Sequence, residues 1–135
     1  MTPRVAFIGA GQMARHHAEA VRRLPVPSTL VGVCDPVSRQ AEPFAAAIGT
    51  RAFSSLEGML GSPPDIVHVC APPAFHFQSA HAAIDSGANV YVEKPCSHNV
   101  REGRLLVEAA RRNKVHVQHG TQSRSNPFIA DAMHV

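Results

Sequence analysis

The sequence is 135 residues long, 44% hydrophobic and 17% charged, with a formal net charge of +3. That length suits one domain around a single core, and nine glycines and eleven prolines without a period exclude a collagen-like or low-complexity chain. No stretch approaches the roughly 18 consecutive apolar residues of a membrane span.

Met1 leads directly into Val5-Ala6-Phe7-Ile8, without the regions of a secretory leader. A cytoplasmic location and no membrane partner are therefore expected. Eleven arginines against two lysines are scattered rather than gathered into a stripe, which argues against nucleic acid as a partner. Cys34, Cys70 and Cys96 form no Cys-x-x-Cys pair, so neither a disulfide framework nor a zinc ribbon is expected.

Short apolar runs alternate with segments of helical period, the pattern of an α/β domain with a parallel sheet. The first predicted strand is Val5 to Ile8, followed by a helix whose apolar stripe is Met13, His17, Val21 and Leu24. A second strand covers Leu30 to Cys34 and a short third covers Arg51 to Phe53. Ser54, three residues before Glu57, starts a helix, and Ile66 to Cys70 is the fourth strand. Val90 to Val92 is the fifth. Asn99 and Glu102 then read as a capping box for a helix with Gly103, Leu106, Val107 and Ala110 on one face. Val115 to Gln118 is the sixth. About six strands with helices on both faces predict a Rossmann-type, doubly wound parallel sheet, with ligands at the carboxyl edge of the strands.

The residues after each strand are accordingly the candidates for chemistry. Gly9-Ala10-Gly11-Gln12-Met13-Ala14 matches G-x-G-x-x-G/A between a strand and a helix. Gly9 permits a tight turn, Gly11 lets a pyrophosphate approach the backbone, and Ala14 lets the helix pack closely. Gln12 and Met13 place free N–H groups and the positive helix end beside the phosphates. Asp35 ends the second strand 24 residues after Gly11, near the interval of the acid that binds ribose hydroxyls. With Pro36 after it, Asp35 also reads as a helix N-cap. A carboxylate there repels a 2′-phosphate, so NAD is expected over NADP, although Arg39 follows one turn later.

After the fourth strand, Cys70-Ala71-Pro72-Pro73-Ala74-Phe75-His76 shapes a loop beside the groove. After the fifth stands Glu93-Lys94-Pro95-Cys96, where two charges beside an apolar strand are costly without a purpose. Nine histidines include no helical pair at four-residue spacing, and no metal site is expected.

The glycine turn, the Cys70-to-His76 segment and Tyr91-Val92-Glu93-Lys94-Pro95-Cys96-Ser97-His98-Asn99 together resemble the glucose–fructose oxidoreductase, inositol dehydrogenase and MocA family. The resemblance runs from the first strand to His119-Gly120-Thr121-Gln122-Ser123-Arg124, and the Glu-Lys-Pro segment is its most specific part. It implies an NAD(P)-dependent oxidoreductase acting on a sugar, cyclitol or related polyol by hydride transfer. Lys94 would be the catalytic residue that moves a proton at the substrate, partly buried, with Glu93 beside it. The cofactor would contact Gly9, Gly11, Gln12, Met13, Asp35, Ala71, Pro72, His76 and Glu93. Ala71 stands where the family usually has threonine, so any hydroxyl contribution there is lost.

The resemblance also implies a second domain that supplies substrate contacts and a homo-oligomer interface. Residues 1–125 are expected to form the nucleotide-binding domain and 126–135 the start of that second domain. Two other functions fit the same residues: a glycosidase that uses NAD transiently, and a nucleotide-binding unit without catalysis.

Overall fold

A computed structural model describes residues 1–122 and 126–132. Ser123 and Arg124 of the resemblance, and the closing Met133-His134-Val135, lie outside the described residues. In chain order the elements are β1 (Arg4–Ile8), α1 (Gln12–Arg22), β2 (Thr29–Cys34), α2 (Ser38–Ala47), β3 (Ala52–Phe53) and α3 (Leu56–Leu60). Then follow β4 (Ile66–Val69), a 3-10 turn (Pro73–Phe75), α4 (His76–Asp85), β5 (Asn89–Val92), α5 (Val100–Asn113), β6 (Val117–His119) and α6 (Pro127–Ala132).

The six strands form one parallel sheet in the order β3-β2-β1-β4-β5-β6. This is the Rossmann-type α/β fold expected from the alternation of strands and helices. The chain order reverses between β1 and β4, so the loops that follow these two neighbours diverge and leave a crevice at the carboxyl edge.

The two-residue period of β1 divides the core. Val5 and Phe7 pack with α1 and α2 through Ala14, Ala18, Val21, Phe44 and Ala45. Ala6 and Ile8 face the other side, with Val67, Val69, Val90 and Val92 under α3, α4 and α5. Fully burying each large aliphatic or aromatic side chain contributes about 1.5–3 kcal/mol, and both faces of the central strands are covered.

The face beneath α1 is not aliphatic throughout. Beyond Phe7 the next two strands present His68 and Tyr91, whose rings stack at 5.3 Å and 19°. His17 of α1 sits edge-on to both.

Several sequence expectations shift. The buried stripe of α1 is Ala14, Ala18 and Val21, while Met13 and Leu24 are exposed: small residues bring the helix close to the sheet, and the larger ones stay outside that contact. On α5 the buried residues are Leu106 and Ala109, with Val107 exposed. The cap of α3 is Ser55 rather than Ser54, its Oγ accepting from Gly58 N–H at 3.2 Å. At α5, Asn99 Oδ1 accepts from Glu102 N–H at 2.9 Å, and Glu102 Oε2 accepts from His98 N–H at 2.7 Å.

Candidate functional site: a cleft at the carboxyl edge of the sheet

The β1–α1 turn lies against the start of the loop after β4. Gly9 has φ +97°, and a Cβ there would sit 2.7 Å from Ala71 N and 2.8 Å from the Cys70 carbonyl. Only glycine meets both demands, because that φ disfavours any L side chain and the opposing atoms are backbone. Gly9 N–H donates to Cys34 O and Cys70 N–H donates to Ile8 O, each at 2.8 Å, so the turn is pinned to β2 and β4 together.

Gly11 has the opposite surroundings: a Cβ there would find nothing within 4 Å. It is the N-cap of α1 and lacks a side-chain cap, and the first helical turn carries no acidic residue. The first N–H groups of a helix have no partner within it and carry partial positive charge. Beside Gly11 these donors meet open space, a cradle of the kind an anionic phosphate fills.

The cavity enclosed here measures about 680 Å³. Gly9, Gly11, Gln12 and Met13 line one side, Asp35 and Pro36 the end of β2, and Ala71, Pro72 and Phe75 the loop after β4. Gln40, Ser54, Ser55 and Gln78 add polar groups that the sequence pattern did not single out as site residues. The spacing signals mark the glycine turn and the acid, but they say nothing of which loop residues reach the same volume.

Asp35 is fixed from two sides. Its Oδ2 accepts from Ala10 N–H at 2.9 Å and its Oδ1 from Val37 N–H at 2.8 Å. The carboxylate thus ties β2 to the glycine turn while keeping lone pairs for further donors. The helix-cap reading changes accordingly: α2 begins at Ser38 with Val37 as its cap, and Asp35 instead closes a turn two residues long.

Three residues predicted for the site lie outside the cavity lining. His76 is buried, with Nδ1 2.6 Å from the Pro95 carbonyl oxygen and Nε2 2.7 Å from that of Ala71. Both ring nitrogens face carbonyl oxygens, which only accept, so a neutral ring donates to one of the two while spanning the loops after β4 and β5. Glu93 is buried beneath the turn after β5, where its Oε1 accepts from His17 Nε2–H at 2.9 Å. Its Oε2 accepts from Lys94 N–H at 3.2 Å and from Gln122 Nε2 at 3.3 Å. Lys94, expected to be partly buried, is exposed, at a cis bond to Pro95.

His17 continues inward, its Nδ1 3.0 Å from Nδ1 of His68. Burial, with His17 second, pushes His68 down to about 4. Burial likewise raises the Cys34 thiol to about 11 and the Cys70 thiol to about 12, with the charges of Asp35 and Glu93 adding to it. Neither thiol is a ready nucleophile at neutral pH.

The sequence pattern missed this half-buried pair of histidines. A signal was present, since His17 falls three residues after Ala14 on the covered side of α1, and a polar ring there needs a partner. Among the described residues, no group of three His, Cys, Asp or Glu side chains is arranged to hold a metal ion.

Comparison with known proteins gives a consistent relationship. The profile of an oxidoreductase family with an NAD-binding Rossmann fold matches residues 3–121. The UDP-N-acetylglucosamine 3-dehydrogenase of Acidithiobacillus ferrooxidans is 30% identical over 126 residues, 93% of this chain and 39% of that protein. An inositol 2-dehydrogenase of Leifsonia xyli is 32% identical over 90% of this chain and 36% of its own length.

Among solved structures, the WlbA dehydrogenase of Bordetella pertussis, in complex with NADH and UDP-GlcNAcA, superposes with a TM-score of 0.92. It is 26% identical to this chain, and the match covers 99% of this chain and 42% of that one. The chain spans about two fifths of the length of these relatives. By this match, and in keeping with the glycine turn and the Asp35 carboxylate, the chain belongs to the glucose–fructose oxidoreductase, inositol dehydrogenase and MocA family of oxidoreductases, and it covers that family's NAD-binding Rossmann fold.

Proposed function

We propose that this chain is the NAD-binding part of an oxidoreductase acting on a carbinol carbon of a sugar, cyclitol or related polyol. The observation that carries the reading is the cradle itself. Gly9 is forced by its neighbours, Gly11 opens onto space, α1 is uncapped, and the ends of β1 and β2 are joined through Asp35. In this reading the N–H groups of the first turn of α1 bind the pyrophosphate, and Gly11 leaves room for it. Asp35, already held by Ala10 and Val37, accepts from the hydroxyls of the adenine-side ribose. Ala71 and Pro72 form the opposite wall.

When bound, the nicotinamide supplies the acceptor or donor of hydride. Lys94 Nζ takes the proton from the substrate hydroxyl in oxidation and returns it in reduction. His76 and Glu93 support the loops that carry these groups. The relatives are named for UDP-N-acetylglucosamine and inositol, which supports a polyhydroxylated substrate class. Residues 126–135 lead into a second domain in this reading, supported by the exposure of Phe128. The same exposed apolar side chain suits burial in a homo-oligomer. Three free cysteines fit a reducing compartment, which supports the cytoplasm.

A second reading, in which the 135 residues bind nucleotide without turnover, is favoured by one observation: Lys94 lies exposed and outside the cavity lining. Titration by nicotinamide fluorescence tests the cofactor reading. NADH is expected to bind at least tenfold tighter than NADPH, and Asp35→Ser to narrow that gap to threefold or less. NADPH binding as tightly as NADH, or an unchanged gap in the variant, contradicts the role of Asp35.

A further inference from the structure

The Lys94 turn is held by buried groups on both sides, although Lys94 itself is exposed. Upstream, the Glu93 carboxylate accepts the Lys94 N–H, and also joins His17 on α1 to Gln122 after β6. Downstream, the Pro95 carbonyl is 2.6 Å from Nδ1 of His76 on α4, whose Nε2 reaches Ala71 beside Gly9.

The segment after β6 passes close over this arrangement. A Cβ on Gly120 would lie 3.0 Å from the Tyr91 ring and 3.2 Å from Glu93 Oε1. The carboxylate is thus enclosed by α1, β5 and the segment after β6, and each oxygen is used by a named donor. Nothing about Glu93 faces the cavity, so its burial is explained by what it holds.

We propose that Glu93 is a positioning residue, which fixes the backbone of Lys94 against α1 and the segment after β6 rather than contacting cofactor. This inference deepens the reading above, since a base must be placed before it can move a proton. A proton acceptor works only within hydrogen-bond reach of its donor, and an exposed lysine on a loose turn would lose that placement. His76 is the second anchor of the same turn, on the cofactor-loop side.

Amide hydrogen exchange and relaxation measured by NMR on the 135-residue chain test this without any ligand. In the unmodified chain the Lys94 amide should be as ordered as the strands, with an order parameter near about 0.85. A value below about 0.6, the flexible range, overturns the proposal. Glu93→Ala should speed exchange of the Lys94 amide at least tenfold while Val67 and Val69 in β4 change by less than threefold. Glu93→Gln keeps an acceptor oxygen and should hold Lys94 within about threefold of the parent.

Equal exchange in the alanine and glutamine variants, or an alanine variant indistinguishable from the parent, overturns it. Should the alanine variant not fold, the glutamine variant and the order parameter of the parent decide. A chain that fails to bind NADH yet shows this pattern would remove the cofactor reading and leave the positioning role standing.

Discussion

Two glycines in one turn act in opposite ways, and their substitution separates stability from binding. At Gly9 the positive φ and backbone atoms 2.7–2.8 Å from a Cβ make alanine a folding defect. Gly9→Ala should destabilise the chain by about 2 kcal/mol or more, since left-handed backbone alone costs roughly 1–2 kcal/mol for an L residue. Gly11 has φ −75° and free space, so Gly11→Ala should cost about 1 kcal/mol or less. On the proposed reading it should nevertheless weaken NADH at least tenfold, because the added methyl would enter the space assigned to the phosphates. Chemical denaturation and fluorescence titration of both variants check this, and a Gly11→Ala protein that binds NADH normally counts against the cradle.

The tight turn, the helix start and the place of Asp35 were legible in the sequence because they depend on local spacing. The environment of His76 and Glu93 was not. The Pro95 partner of His76 lies 19 residues away in the chain and the His17 partner of Glu93 lies 76 away, and only the crossover topology brings these together.

At the scale of elements, the α1 face of the sheet carries a polar patch where an aliphatic one would serve packing alone. His68 on β4 stacks on Tyr91 of β5 and meets His17 of α1. The pKa of His68 lies near 4 in the folded chain against 6.5 in the unfolded one. The folded state therefore binds fewer protons between those values, and stability falls as pH drops from 6.5 towards 4, levelling below that. The drop from 6.5 to about 4 corresponds to roughly 3 kcal/mol before it is reduced by the partial exposure of the ring. Thermal or urea unfolding across pH 7 to 4 should show this loss, and His68→Asn should flatten the curve relative to the parent. An identical slope in the variant contradicts the assignment.

The strands themselves were readable to within a residue or two from their valine-rich runs. The burial of α1 was read less well, because a stripe of alanines is a weak hydrophobic signal although it permits the closest packing. The short reach of side chains at Ala14 and Ala18 lets His17 approach the sheet, so the misread stripe and the overlooked histidine pair share one cause.

Across the whole molecule, sheet order decides where a ligand belongs. The reversal between β1 and β4 sets the glycine turn and the Ala71-Pro72 loop on either side of one crevice, with Asp35 at its end. A second apolar groove lies between α5 and β6, lined by Leu106, Val107, Val115 and Val117. It lacks the helix start and carboxylate that a dinucleotide requires.

NMR of the nitrogen-15-labelled chain during NADH titration discriminates between these places directly. The largest amide shifts are predicted at Gly9, Gly11, Gln12, Met13, Asp35 and Ala71. Shifts centred on α5 and β6, with the glycine turn unchanged, would contradict the account.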